Sequence, residues 1–92
     1  MTDATRWKHL RARALRRDRY MCRECARYGR QTEAERVHHA WPAEEYPEYR
    51  WALWNLVSLC LPCHDRMHNR GTRELTALGR EWMRRAYRRL EP

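Results

Sequence analysis

Two CxxC pairs, Cys22-Arg23-Glu24-Cys25 and Cys60-Leu61-Pro62-Cys63, constrain this chain more than any other feature. Two residues between cysteines let a tight turn aim both sulfurs at one cation, and two such turns complete a tetrahedron. The stretch between the pairs is far longer than in a short zinc finger. A bound ion would therefore clamp the N-terminal half to the C-terminal half. A thioredoxin-like redox pair is the other reading of CxxC. It needs a strand before it and a helix after it in a βαβ unit, and two such sites in one chain would be odd. The expectation is a structural Zn2+ held by Cys22, Cys25, Cys60 and Cys63. The chain has 92 residues, enough for one small domain, and cores of that size commonly need a metal or disulfides.

Lys plus Arg number 20 and Asp plus Glu 12, a formal net charge of +8, and every one of these cations except Lys8 is Arg. That excess favours a polyanionic partner. Arg pairs bidentately with phosphate and stacks on bases. A solvated basic face without a partner is the blander alternative. Phe and Ile are absent and Val occurs only at Val37 and Val57, so an extended β-sandwich lacks its raw material. No apolar run reaches the ~18 residues of a membrane span. The segment MTDATRWKHLRARAL contains no apolar signal core. The expectation is a cytoplasmic protein without a membrane partner.

Thr2 or Asp3 can cap a helix over residues 4–20, with Trp7, Leu10, Ala14 and Met21 at helical spacing. Gly29 marks a turn. Residues 35–40 read as a short strand. Residues 41–54, WPAEEYPEYRWALW, hold two Pro that discourage regular structure, so they read as an irregular loop whose aromatics form a small core. Residues 55–60 read as a second strand leading into the second cysteine turn. Pro62 suits the first turn of a helix carrying His64 and His68 and ending near Gly71. Thr72 is the expected cap of a last helix running to about Leu90, with Leu75, Leu78, Trp82, Met83, Ala86 and Leu90 as its apolar stripe.

Four of the five histidines fall in two clusters. His64 and His68, at i and i+4, would share one helix face and one metal. His38 and His39 are neighbours on a strand and point to opposite faces. They should therefore do different jobs, one facing the helix and its metal, the other facing a substrate.

The order CREC, then VHHAW, then WNLVSLCLPCHDRMH resembles the HNH endonuclease family, whose core is a ββα-metal motif. The resemblance covers roughly residues 7–71 and is most specific from Asn55 to His68, where N-L-V-x-L-C-x-x-C-H agrees almost letter for letter. It implies an α+β fold, mostly helical: a ββα-metal (His-Me finger) core over about residues 20–71 with a four-cysteine zinc site. An N-terminal helix and an accessory C-terminal helix over residues 72–90 would flank that core in a single domain.

By position, the resemblance makes His39 the general base that activates water. His38, where many members carry Asp, becomes a metal ligand together with His64 and His68. Asn55 would hold the loop and orient His39 through its backbone carbonyl. Three imidazoles suit Zn2+, Ni2+ or Mn2+ better than Mg2+, which prefers oxygen. The implied reaction is metal-dependent hydrolysis of DNA, taken to be double-stranded, leaving 5′-phosphate and 3′-hydroxyl ends. Short proteins of this kind resemble phage- or prophage-encoded members. Arg66 and Arg70 are candidates to hold flanking phosphates.

Two other readings share these features. One is a non-catalytic, zinc-stapled nucleic-acid-binding module, which has no use for an unligated His39 beside a metal. The other is an accessory subunit, for example of a phage packaging complex, with the aromatic loop or the C-terminal helix as its protein interface.

Overall fold

The computed structural model describes residues 2–88, and the side chains of residues 2–86. Helix α1 spans Asp3–Arg17. Thr2 caps it by accepting from the Thr5 amide at 3.1 Å, and Asp3 in the first turn and Arg16 and Arg17 in the last suit the helix dipole. The helix stops three residues short of the expected end. Arg19 and Tyr20 both adopt left-handed conformations, φ 55° and 60°, and the Tyr20 amide turns back to the Leu15 carbonyl at 2.8 Å. This bend carries Met21 out of the apolar stripe, leaving it 38% exposed.

The first cysteine turn continues into α2, Arg23–Ala26. Strand β1, Arg36–His39, pairs antiparallel with β2, Leu56–Leu59, in the register His38 to Val57 and His39 to Leu56. Between them the aromatic segment forms two 3-10 turns, Pro47–Tyr49 and Leu53–Asn55. Its rings pack on one another as expected of a small core. Trp41 meets Tyr46 edge-on at 5.0 Å, and Tyr49 meets Trp54 at 4.9 Å.

Every residue of β2 is buried, and its alternation divides the core in two. Leu56 packs with Leu10 and Ala14 of α1. Val57 and Leu59 pack with the four cysteines, Met67, Trp82 and Ala86. The sheet thus has α1 on one face and the cysteine cluster with the last helix on the other. Arg17 fastens α1 to β2 through the carbonyls of Leu53 and Leu56, and pairs with Asp18, whose carboxylate also accepts from the Ser58 amide at 3.3 Å.

After β2, Cys60 and Pro62 open α3, Leu61–Asp65, which is one turn shorter than expected. His68 is therefore not on this helix. The Arg66 and Met67 amides tighten onto the Cys63 and His64 carbonyls, the Arg66 carbonyl accepts from the Thr76 hydroxyl (2.6 Å) and the Met67 carbonyl from the Thr76 amide (2.9 Å), and His68 forms an isolated bridge with Leu75. Asn69 closes the intervening loop, its side-chain oxygen accepting from the amides of Gly71 and Thr72. Thr72 is consequently a loop residue.

The last helix, α4, starts five residues beyond Thr72, at Ala77, and runs to Arg88. Thr76 takes the capping role, accepting from the Gly79 amide at 3.1 Å. Leu90 and Arg89 lie outside the described residues. Trp82 docks α4 by donating from its indole to Glu24 at 3.0 Å, and Trp41 donates to the Met83 carbonyl at 3.0 Å. Among the described residues no helix is long and apolar enough to cross a membrane.

Candidate active site

The period-two geometry of β1 sends its two histidines to opposite sides. His38 is 3% exposed and turns toward α3, with ring centroids 5.7 Å from His64 and 5.5 Å from His68. His39 turns toward α1 and stacks on Trp7, centroids 5.1 Å and planes 26° apart. Both border a cavity of about 440 Å3 that wraps the end of the strand. His64, His68 and Arg73 line it, with Glu44 and Glu45 on the aromatic-loop side.

Burial pushes the His38 imidazole down to about 3, and the neighbouring His64, His68 and His39 add to the shift. Burial also lowers His64, against an opposing effect of Asp65. It lowers His39 too, partly offset by the hydrogen bond to the Arg50 carbonyl. These three rings are therefore neutral near pH 7, the state that binds metal ions and accepts protons. His38 Nε2 is buried and has no hydrogen-bond partner. An ion bound beside it would give that atom a partner, since a buried polar atom without one is costly, although among the described residues the ring nitrogens of His38, His64 and His68 are not drawn within 4.8 Å of one another as the cysteine sulfurs are.

The ring of His39 is held differently. Its Nε2 lies 3.1 Å from the Arg50 carbonyl. A carbonyl can only accept, so Nε2 carries the proton and Nδ1 the lone pair. Asn55, fully buried, acts on the same segment at one remove. Its side chain accepts from the Trp41 amide at 2.7 Å and donates to the carbonyls of Trp41 and Tyr49 at 3.0 and 3.1 Å. Its backbone carbonyl accepts from the Ala40 amide, one residue after His39. It is the Arg50 carbonyl that meets the His39 ring.

The four cysteines converge on the far side of β2. All are buried, and among the described residues they are the one set whose ligand atoms all lie within 4.8 Å of one another. The Cys25 sulfur lies 3.8 Å from that of Cys60 and 3.7 Å from that of Cys63. The edge of a tetrahedron with Zn–S bonds of about 2.3 Å is about 3.8 Å, so the spacing fits a thiolate-bound ion. Burial raises the Cys22 and Cys63 thiols, while a hydrogen bond with Thr32 leads the effects that bring Cys25 down to about 7. A bound cation would hold all four as thiolates.

Arg66 points toward the cysteine cluster, its guanidinium 3.6 Å from the Cys63 sulfur and 3.8 Å from Glu24. Arg70 has a 90% exposed side chain near Asp65, and neither arginine lines the histidine cavity. Arg73 does, on a left-handed backbone of φ 64° held by its amide on the Asn69 carbonyl at 2.7 Å. Sequence reasoning placed Arg73 in the last helix and gave no signal for it. Trp7 was legible as an apolar residue of α1, but its stack on His39 depends on how α1 crosses β1.

The HNH endonuclease family model matches residues 22–70, more than half of the chain. The chain belongs to the HNH endonuclease family. Its ββα unit is β1, β2 and α3, with the four-cysteine metal-binding site behind β2 and α1 and α4 flanking. Among solved structures, the HNH endonuclease of the deep-sea thermophilic bacteriophage GVE2, crystallised with manganese ion, is similar at 34% identity and a TM-score of 0.65. The match spans 66% of this chain and 66% of that one. A search of curated proteins found no match.

Proposed function

We propose that this HNH chain is a metal-dependent endonuclease that hydrolyses DNA phosphodiester bonds. The observation that carries the reading is the division of labour at β1. His38 offers an unpartnered buried nitrogen to the cavity, while His39 next to it has its Nε2 occupied and its Nδ1 free. His38, His64 and His68 would hold a divalent ion, and Cys22, Cys25, Cys60 and Cys63 a structural zinc. When bound, the ion at the histidines supplies positive charge to the scissile phosphate and the departing oxygen.

The chain's own residues do the rest. Neutral His39 accepts the proton of a water through Nδ1 as that water attacks phosphorus. The bond from phosphorus to the 3′ oxygen breaks, and that oxygen takes a proton from solvent. The products are a 5′-phosphate and a 3′-hydroxyl. Trp7 and the Arg50 carbonyl keep the His39 ring from rotating, and Arg73 brings a cation to the phosphate in the cavity. This sequence requires His39 uncharged at the start, the state its burial favours.

The test is nicking of supercoiled plasmid with Mg2+, Mn2+, Ni2+ or Zn2+, wild type beside His39→Ala. We expect metal-dependent nicking that falls by about 10²–10⁴-fold in the variant. Nicking that survives the substitution would remove His39 from the base role. Absence of nicking with every metal would favour a binding module instead.

A further inference from the structure

Three concave surfaces run in line from the histidine cavity along α1. The cavity shares His39 with a second cleft, formed by Asp3, Ala4, Trp7, Arg50 and Trp51. That cleft shares Trp51 with a third, formed by Arg6, His9, Leu10 and Arg13. The shared residues set the three hollows side by side, each adjoining the next at one side chain, from His39 to Trp51.

These hollows are lined with cations. Arg6 and Arg50 both lie over the Trp51 ring, their guanidinium carbons 4.3 and 5.1 Å from its centroid. Stacking on a ring holds a guanidinium in place while leaving its N–H groups free to donate. Arg6 and Arg13 are seven residues apart on α1, two turns along one face, hence about 10 Å apart along the axis. That span is about three steps of a DNA strand at ~3.4 Å per step. Asp3 is the one acid among the residues lining the second and third clefts. By contrast, Arg66 and Arg70 have acidic neighbours, Glu24 and Asp65, and lie off the cavity.

We infer that the α1 face bearing Arg6, Arg13, Arg50 and Trp51 is the docking track for the DNA strand that flanks the scissile phosphate. The inference rests on the nuclease reading, because it is the position of His39 that sets where the strand begins. Arg6 and Arg50 contact the strand beside Trp51, which fixes the spacing of these two cations, and Arg13 contacts it about three steps further on. Contacts of this kind position a strand without reading its bases.

The experiment measures binding apart from cleavage. Affinity for a short fluorescein-labelled DNA duplex is followed by anisotropy across a salt series, all in a His39→Ala background so that the duplex stays intact. The test pair is Arg6→Ala with Arg13→Ala. The charge-matched control is Arg80→Ala with Arg84→Ala on α4. Loss of two phosphate contacts should reduce the slope of log K against log salt by about 1.8, and only in the α1 pair. Alanine is favourable in a helix, and circular dichroism verifies that α1 persists. Arg6→Lys with Arg13→Lys, which keeps the charge, should retain the slope.

An unchanged slope in the α1 alanine pair, or an equal loss in the α4 pair, overturns the track. If the slope falls only in the α1 pair but the His39-containing chain cleaves nothing, the α1 face stands as a DNA-docking surface and the nuclease reading fails. If the chain cleaves but the slope is unchanged, the reverse holds.

Discussion

Trp7 of α1 lies against His39 of β1 with ring planes 26° apart and centroids at 5.1 Å. Around this contact α1 packs through Leu10 and Ala14 against Leu56 of β2, with Val37 of β1 partly buried beside them. Trp7 presses the ring from one face while the Arg50 carbonyl holds Nε2 at the edge. Trp7→Ala should leave His39 with one restraint instead of two. Aromatic contacts of this kind contribute about 0.5–1.5 kcal/mol, so kcat for plasmid nicking should fall up to about tenfold. KM and metal dependence should stay near wild type. Trp7→Phe, which keeps a ring, should recover most of the rate. A rate for Trp7→Ala equal to wild type would remove Trp7 from any positioning role.

The lowered His39 pKa sets the direction of the pH dependence. In the proposed mechanism the active form has His39 neutral, and burial shifts its protonation below the ordinary 6.5. Nicking should therefore rise with pH to a midpoint under 6.5 and level off above it. His38 gives the matching statement for stability in the protein free of the histidine-bound ion. Its pKa is about 3 folded against 6.5 unfolded, so the unfolded chain binds more protons between those values. Stability from this group is complete above 6.5 and is lost as pH falls toward 3. Thermal melts at pH 7 and pH 5, on protein reconstituted with one equivalent of zinc so that the cysteine site alone is filled, should show the lower midpoint at pH 5.

The cysteine cluster should decide whether the chain folds at all. The four cysteines belong to the larger of the two core clusters, and thiolate zinc sites contribute apparent free energies of about 10–16 kcal/mol. A small domain's whole stability is about 5–15 kcal/mol. We expect one tightly held zinc per chain by metal analysis, and Cys60→Ser should abolish the cooperative thermal transition. A Cys60→Ser protein that still melts cooperatively near the wild-type temperature would contradict a folding role for the site.

The parts legible in the sequence are those set by short-range chemistry. The CxxC spacing, the strand on either side of the aromatic loop and the opposite facing of His38 and His39 all follow from local geometry. The parts that were not legible turn on a few competing backbone bonds. The Arg66 and Met67 amides close onto Cys63 and His64, and Thr76 takes the Arg66 and Met67 carbonyls; with these contacts α3 ends early, His68 lies off the helix and α4 starts at Ala77 instead of Thr72. Both threonines are acceptable caps by sequence, and only the tertiary contact separates them. His68 still reaches His38, at 5.5 Å, through the bridge to Leu75 rather than through helical spacing. Arg73 reaches the cavity by the same route.

That junction predicts an unusual response at Gly79. In an isolated helix, Ala in place of Gly is favourable by about 1 kcal/mol. Here a Cβ on Gly79 would collide with the Met67 carbonyl oxygen and approach the Leu75 Cδ2 to 2.7 Å. The first is backbone that already accepts from Thr76, so it cannot yield without loosening the cap of α4. Gly79→Ala should therefore destabilise by about 1–3 kcal/mol, the cost typical of overpacking, despite the gain in helix propensity. Chemical denaturation measures this directly. A variant as stable as wild type would mean that the close approach of α4 to the Met67 carbonyl does not hold in solution.

Asn55 ties the aromatic loop to the segment that holds His39. It is fully buried and makes three side-chain hydrogen bonds to the backbone of Trp41 and Tyr49, next to the Arg50 carbonyl that meets His39. Asn55→Ala removes three side-chain hydrogen bonds, although the Tyr49 carbonyl keeps the Ala52 amide, and should cost about 1–3 kcal/mol. Asn55→Asp keeps the acceptor for the Trp41 amide but turns the donor to two carbonyls into a second acceptor. It should therefore disturb Tyr49 and Arg50 more than Trp41. If Asn55 acts by placing Arg50, the folded fraction of Asn55→Asp will nick more slowly than wild type, and the pH midpoint of nicking will move as the hydrogen bond to His39 weakens. That bond raises the His39 pKa, so losing it should shift the midpoint further down. A slower variant with an unmoved midpoint would make Asn55 a brace for the loop with no effect on the base.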